Sequence, residues 1–183
     1  MDVLSFSKQT KREADELLKK GGVVKVLLRY GKVVMIGSYK YDLMYGSDID
    51  LVVVTDNPSK AAQNVLIDFV SVRNFQKYQF GDFEKHPLDN RPRSYIVVLA
   101  HEHKGRRWEI EIWFFKKFSE YKKFSEVDET LENSLMSVSS KQKEIILKLK
   151  HQREISKTSK HKLDSVTLYK GVLQRGKENI EEY

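Results

Sequence analysis

Runs of apolar residues at four places along the chain predict the strands of a sheet. Residues 33–36 are aliphatic throughout, and residues 48–55 alternate at first and then become continuously apolar, which favours buried strands. Two further runs, 95–100 and 108–115, are joined by a turn-forming His-Lys-Gly sequence at 103–105. This spacing predicts a β-hairpin.

Helical spacing of apolar residues predicts helices around these strands. Residues 7–20 predict a helix that is capped by Ser7 and ended by two glycines. Residues 59–70 predict a second helix with one buried side. Residues 23–28 are compatible with a strand or with a short buried helix.

The second half of the chain is patterned less regularly. Residues 80–93 contain two prolines and predict a loop, with one short strand before it at most. Residues 118–135 are helical in tendency. Ser139 and Gln142 have the spacing of a capping box, which predicts the start of a further helix.

Composition narrows the class of protein. The chain has 183 residues, 40% of them apolar, which is enough for one domain or a domain with a small annex. It has no cysteine, which excludes disulfides and thiolate zinc sites and fits an intracellular protein. The apolar runs are shorter than the ~18 residues that span a bilayer, and the N-terminus lacks a signal-peptide pattern. We expect no membrane partner, and we favour a monomer.

The positive charge is concentrated towards the C-terminus. The net charge is +7, and residues 141–162 hold eight Lys or Arg residues against two acids. A local basic stretch favours contact with nucleic-acid phosphates, although a solvated helix face can have the same composition. The candidate nucleic-acid contacts are Lys141, Lys148, Lys150, Arg153, Lys160 and Lys162.

Two aspartates on one predicted strand are the strongest chemical signal in the sequence. Asp48 and Asp50 are two residues apart, so their side chains share a face while Ile49 points into the core. Neighbouring carboxylates repel each other unless a cation lies between them. Gly37 and Ser38 follow the preceding strand and form a turn that can hold phosphates. The combination indicates a site for Mg²⁺ and a nucleoside triphosphate.

The hairpin supplies candidates for a third acid. Glu109 and Glu111 again share one face of a predicted strand, with isoleucines on the other face. Nucleotidyl transfer uses two divalent ions ~3.5–4 Å apart, and such ions prefer hard oxygen ligands. A carboxylate from this strand would complete a site for two Mg²⁺ or Mn²⁺ ions.

The Gly37-Ser38 pair, the Asp48-Ile49-Asp50 motif that follows eleven residues after the glycine, and the later acid-bearing strand resemble the polymerase β-like nucleotidyltransferase superfamily. Within it, the chain is most similar to a minimal family X DNA polymerase with only a palm and a thumb. The resemblance implies an α+β fold whose mixed, mainly antiparallel sheet is flanked by helices. It also implies a nucleotidyltransferase palm at residues 1–125 and a small basic thumb-like subdomain at residues 126–183.

The resemblance further implies roles for individual residues. Asp48 and Asp50 would bind both metal ions. Glu111, which matches the acid of the family better than Glu109 does, would complete the metal site near the attacking hydroxyl. These three acids are the expected catalytic and metal-binding residues. The expected nucleotide-binding residues are Gly37, Ser38, Lys40 and Ser47.

The function implied is metal-dependent transfer of a nucleotide from a (deoxy)nucleoside triphosphate to a nucleic-acid 3′-hydroxyl. A minimal DNA polymerase that fills gaps or repairs DNA, with gapped or primer–template DNA as its partner, is the leading hypothesis. The chain has Lys40 and Tyr41 where the family often has two arginines. Two alternatives stay open: transfer of AMP to a small molecule, a tRNA or a protein, and a non-catalytic nucleic-acid-binding protein.

Overall fold

One mixed sheet organises the protein. The computed structural model describes residues 2–89, 91–155 and 163–183. Its five strands are β1 Lys32–Met35, β2 Asp48–Val54, β3 Lys77–Asp82, β4 Tyr95–His103 and β5 Arg106–Phe115. They lie in the order β1-β2-β5-β4-β3. All neighbours are antiparallel except β2 and β5, which are parallel. The expected α+β fold with a mixed, mainly antiparallel sheet is confirmed.

Helices surround the sheet. In the described ranges they are α1 Val3–Lys20, α2 Val23–Leu27, α3 Gly37–Lys40, α4 Pro58–Val72, α5 Phe118–Phe124, α6 Glu129–Met136, α7 Ser140–Ile155 and α8 Ser165–Arg175. A single 3₁₀ turn at Ile180–Glu182 follows. None of the helices in these ranges combines the length and the apolar character that a bilayer crossing requires.

The structure corrects several sequence-based expectations and decides one that was open. The stretch 118–135 forms two helices, α5 and α6, and not one. Helix α1 begins before Ser7, because the Asp2 carboxylate caps it by accepting hydrogen bonds from the Leu4 and Ser5 N–H groups (3.1 and 3.3 Å). The ambiguous segment 23–28 is the short helix α2, not a strand. Strand β3 continues to Asp82 and so includes the first residues of the predicted loop.

The two faces of the sheet are covered by different parts of the chain. Helices α1, α2 and α4 pack on one face, where Ile49 of β2 and Ile110 of β5 enter the main core. On the other face, Val52 and Trp113 pack against Phe118 of helix α5. The residues that alternate with Ile49 and Ile110 therefore point to this second face, which we call the acid face.

Helices α6, α7 and α8 form a separate core. Leu131, Leu149 and Leu168, one from each helix, pack together with Tyr41 and Leu43 from the segment between α3 and β2. The C-terminal helices thereby pack against the segment that follows the Gly-Ser turn and leads into β2. The division of the chain into a palm at 1–125 and a thumb at 126–183 stays a prediction.

Candidate active site

Parallel pairing of β2 and β5 brings four carboxylates together. Asp48 lies opposite Glu109, and Asp50 lies opposite Glu111. Directly opposite residues of neighbouring strands share a face, so all four side chains belong to the acid face; we call them the acid cluster. Asp48 and Glu109 are exposed, whereas Asp50 and Glu111 are half-buried. The more enclosed pair is therefore the one that contains Glu111, which supports Glu111 over Glu109 as the third ligand.

The electrostatics of the acid cluster favour a bound cation. Burial, followed by the nearby charges of Glu111 and Asp48, raises the pKa of Asp50 to about 7. Lys150 acts in the opposite direction. Burial is also the main reason why the pKa of Glu111 is raised. A cation placed between such carboxylates would stabilise their ionised forms.

Two glycines allow the backbone to approach these acids closely. Gly37 has a φ of +63°, and a Cβ at this position would overlap Oδ2 of Asp50. A Cβ at Gly46 would lie 2.6 Å from Oδ1 of Asp48. The importance of Gly46 was missed by the sequence reasoning, although its position next to Ser47, just before the first aspartate, was an available signal.

Ser38 contacts a buried lysine from the C-terminal helices. Lys150 is only 2% exposed, and its Nζ donates hydrogen bonds to Ser38 Oγ (2.8 Å), the Leu43 carbonyl oxygen (2.8 Å) and Tyr169 Oη (2.9 Å). Ser38 Oγ and Tyr169 Oη are 3.0 Å apart. We call Ser38, Lys150 and Tyr169 the lysine cluster.

The inward position of Lys150 corrects one expectation from the sequence. A nucleic-acid backbone contact needs an exposed charge, and Lys150 is enclosed because helix α7 turns this residue towards the Gly-Ser turn. Tyr169 was not expected at the site. The signal for Lys150 was its distance of four residues from the buried Ile146 on the same helix, whereas Tyr169 had no comparable signal.

Lys40 and Ser47, which were also expected to bind the nucleotide, contact other protein groups in the structure. Lys40 and Lys122 both form ion pairs with the carboxylate of Glu132. Hydrogen bonds from these two lysines, Lys122 first, lower the pKa of Glu132. Ser47 Oγ donates a hydrogen bond to the Arg107 carbonyl oxygen (2.6 Å). This hydrogen bond links the start of β2 to β5 next to the acid cluster.

One cavity joins the acid cluster to the lysine cluster. Its volume is about 540 Å³, which is within the range of ~300–1,000 Å³ typical of small-molecule sites. Its lining includes Ser38, Asp48, Asp50, Tyr121, Glu132 and Tyr169. The cavity therefore lies between the sheet and helices α5, α6 and α8, and its lining combines the aspartates of β2 with Ser38 of the Gly-Ser turn.

The basic residues of helix α7 are partly neutralised. Lys141 forms an ion pair with Glu178 (3.7 Å), and Lys148 forms one with Glu144 (2.6 Å). Arg153 donates a hydrogen bond to the Leu163 carbonyl oxygen (3.0 Å). The two remaining candidates, Lys160 and Lys162, lie outside the described residues.

The donor set of the acid cluster fits magnesium or manganese. Asp48, Asp50 and Glu111 offer hard oxygen atoms, which are the ligands that these ions prefer. Within residues 2–89, 91–155 and 163–183, no three acidic or histidine side chains already converge on one point as ligands. The strands set the register of the carboxylates, and side-chain rotation would have to complete the ligand set.

Together, these features define a nucleotidyltransferase: an acid-bearing pair of strands, a Gly-Ser turn and a cavity between them and a helical layer. The nucleotidyltransferase domain family matches residues 22–133, more than half of the chain, so the protein belongs to this family. The matched range contains the Gly-Ser turn, all four members of the acid cluster and part of α6. The predicted superfamily is thereby confirmed. A search of curated proteins gave no match.

Proposed function

We propose that the protein transfers a nucleoside monophosphate from a nucleoside triphosphate to the 3′-hydroxyl of a nucleic-acid end. The observation that carries this proposal is the cavity whose lining contains Asp48, Asp50 and Ser38, with Lys150 hydrogen-bonded to Ser38. A triphosphate chain needs cations along its length, and the reacting phosphate has to lie beside the acids.

Different residues of the site would bind the metal ions and the phosphates. Asp48, Asp50 and Glu111 would hold two divalent ions, which neutralise the triphosphate and lower the pKa of the attacking hydroxyl when bound. Ser38 would donate a hydrogen bond to the terminal phosphates, and Lys150 would join it by exchanging one of its three present hydrogen bonds. The acceptor hydroxyl releases its proton to solvent, and its oxygen bonds to the α-phosphorus. The bond from the α-phosphorus to the α,β-bridging oxygen breaks, and pyrophosphate leaves with that oxygen.

A minimal family X-like DNA polymerase acting on gapped DNA is the first form of this function to test. The purified protein would be given a 5′-labelled primer in gapped, primer–template and single-stranded form, with dNTPs or NTPs and Mg²⁺ or Mn²⁺. We expect primer extension that is lost in Asp50→Asn and kept in Asp56→Asn, since Asp56 is exposed and lies outside the acid cluster. Extension that survives Asp50→Asn would refute the assignment.

Transfer of AMP to a small molecule, a tRNA or a protein is the second candidate. It is favoured by the inward position of Lys150 and by the ion pairs of Lys141 and Lys148, which reduce the basic surface available to DNA. The two candidates differ in salt dependence. Binding to duplex DNA that weakens steeply with salt supports a nucleic-acid acceptor, and salt-independent or absent binding supports the second candidate.

A further inference from the structure

A loop that packs on the acid face places one arginine beside the acid cluster. The loop joins β3 to β4, and the Phe83 N–H donates a hydrogen bond to the Ser94 carbonyl oxygen (2.9 Å) where the loop closes. Phe83 stacks on Trp113 with ring centroids 6.0 Å apart. The guanidinium of Arg91 lies 5.4 Å from the centroid of the same Trp113 ring. Trp113 follows Glu111 by two residues and shares its face of β5, so Arg91 is held next to the acids while its side chain stays exposed.

The nucleotide cavity is lined by the acids of β2, whereas Arg91 contacts β5. Asp48 and Asp50 line the cavity, whereas Glu111 is on β5, one strand further from β1. At the level of Glu111, the sheet continues with Val98 on β4. The triphosphate would thus approach from β1 and β2, and the acceptor would approach over β4. An acceptor hydroxyl that reaches Glu111 from this side arrives beside Arg91.

The positive charge of Arg91 can offset the repulsion between the acid cluster and an anionic acceptor. Four carboxylates repel any anionic acceptor, and a nucleic-acid end carries a phosphodiester directly next to its 3′-hydroxyl. The positive charge of Arg91, held over Trp113 of the same strand as Glu111, is placed where it can offset this repulsion. Arginine presents a planar fork of donors that matches two phosphate oxygens at once.

We propose that Arg91 binds the phosphodiester next to the attacking hydroxyl and so selects nucleic-acid ends over neutral alcohols as acceptors. This inference rests on the proposed function, because it assigns a phosphate-bearing acceptor to the same transfer. Arg91 is a specificity-determining residue that contacts the acceptor but not the reacting atoms.

The direct test is binding of oligonucleotides that end in a 3′-hydroxyl and carry either a natural last phosphodiester or a neutral methylphosphonate. Wild type, Arg91→Ala and Arg93→Ala are compared by fluorescence anisotropy, with DNA and RNA in separate arms. Arg93 is the matched control, since it is also exposed but lines another cavity together with Ser94 and Tyr95. We expect the methylphosphonate to weaken binding about 10-fold in wild type and in Arg93→Ala, and to have no effect in Arg91→Ala.

Two results would overturn the proposal: a methylphosphonate loss that is as large in Arg91→Ala as in wild type, or no loss in wild type with either DNA or RNA. If one sugar alone shows the effect, the proposal stands and the acceptor is the nucleic acid with that sugar. The anisotropy experiment measures binding without nucleotide transfer, so it tests Arg91 independently of the proposed function. The proposed function itself fails if no nucleotide is transferred to any nucleic-acid end.

Kinetics provide a second readout that a purely structural role would not produce. We expect Arg91→Ala to raise the KM for the acceptor about 10-fold and to leave kcat and the KM for the nucleoside triphosphate unchanged. Equal changes in both KM values, or unchanged acceptor KM, would contradict the proposal.

Discussion

The acid cluster and the lysine cluster each contribute residues to the same cavity but are built in opposite ways. Within each acidic pair, two residues of one strand share a face by alternation, and the pairing of β2 with β5 joins the two pairs. The lysine cluster is assembled from three helices, and 131 residues separate Ser38 from Tyr169. The acid cluster thus depends on strand alternation and sheet pairing, whereas the lysine cluster depends on the docking of the C-terminal helices. Variants can separate these two contributions.

Removal of one carboxylate from the acid cluster should have the largest effect. Asp50→Asn keeps the size of the side chain but weakens its affinity for divalent ions. We expect kcat/KM for nucleotide transfer to fall more than about 100-fold, because the loss of groups that merely orient metal ligands already costs roughly 10–100-fold. Asp56→Asn, in an exposed position after β2, is the control. Similar activity of the two variants would show that the acids are not part of the reaction.

The lysine cluster should affect substrate binding more than chemistry. In Lys150→Met the buried side chain keeps its length but loses its charge. We expect the KM for the nucleoside triphosphate to rise about 10- to 100-fold, as expected for loss of a charged hydrogen bond worth roughly 1.5–3 kcal/mol. The same substitution at Lys148, which is exposed and paired with Glu144, should leave the KM unchanged. If both variants behave alike, the cavity does not hold the triphosphate at Lys150.

The two clusters meet at Gly37, which lies beside both Asp50 and Ser38. Gly37→Ala introduces strain at a positive φ and an overlap with Asp50, so we expect a loss of more than about 1 kcal/mol in the free energy of unfolding, together with reduced transfer activity. Gly105→Ala is a matched control: its φ is +73° and a Cβ there would meet nothing within 4 Å. The difference between the two urea-unfolding curves measures the overlap alone, and equal curves would mean that Asp50 moves aside without cost.

The smallest effect expected is a pH dependence of stability that belongs to the acid cluster. The pKa of Asp50 is raised from 3.8 to about 7 in the folded protein. Its contribution to the free energy of unfolding is therefore complete below pH 3.8 and is lost as the pH rises through about 7. Without divalent cations, wild type should lose more stability than Asp50→Asn between pH 4 and pH 8, and Mg²⁺ should reduce this loss. Parallel pH profiles of the two proteins would argue against a perturbed Asp50.

The comparison also explains which parts of the site could be predicted. The shared faces of Asp48 with Asp50 and of Glu109 with Glu111 follow from the two-residue period of a strand, and the sequence predicted them correctly. The parallel pairing that sets Asp50 opposite Glu111 joins strands about sixty residues apart, and no short-range pattern encodes it.

Lys150 shows where composition misleads. In a segment with many lysines, charge alone favours a solvated face for each of them. The position of Lys150 on helix α7 instead follows the buried residues Ile146 and Leu149. Its four-residue distance from Ile146 is a signal for the inner face, but that signal becomes meaningful only once the Gly-Ser turn is known to lie opposite. Tyr169 shares this dependence on tertiary structure and has no sequence signal of its own.

The enclosed ammonium group of Lys150 also has a consequence for turnover. Its three hydrogen-bond acceptors in the structure are neutral oxygens, so a polyphosphate of any nucleoside would compete well for it. In the proposed reaction, the released pyrophosphate would carry the phosphate oxygens that Lys150 is proposed to bind. We therefore expect departure of pyrophosphate from the cavity to limit the steady-state rate, and added pyrophosphate to inhibit transfer in competition with the nucleoside triphosphate.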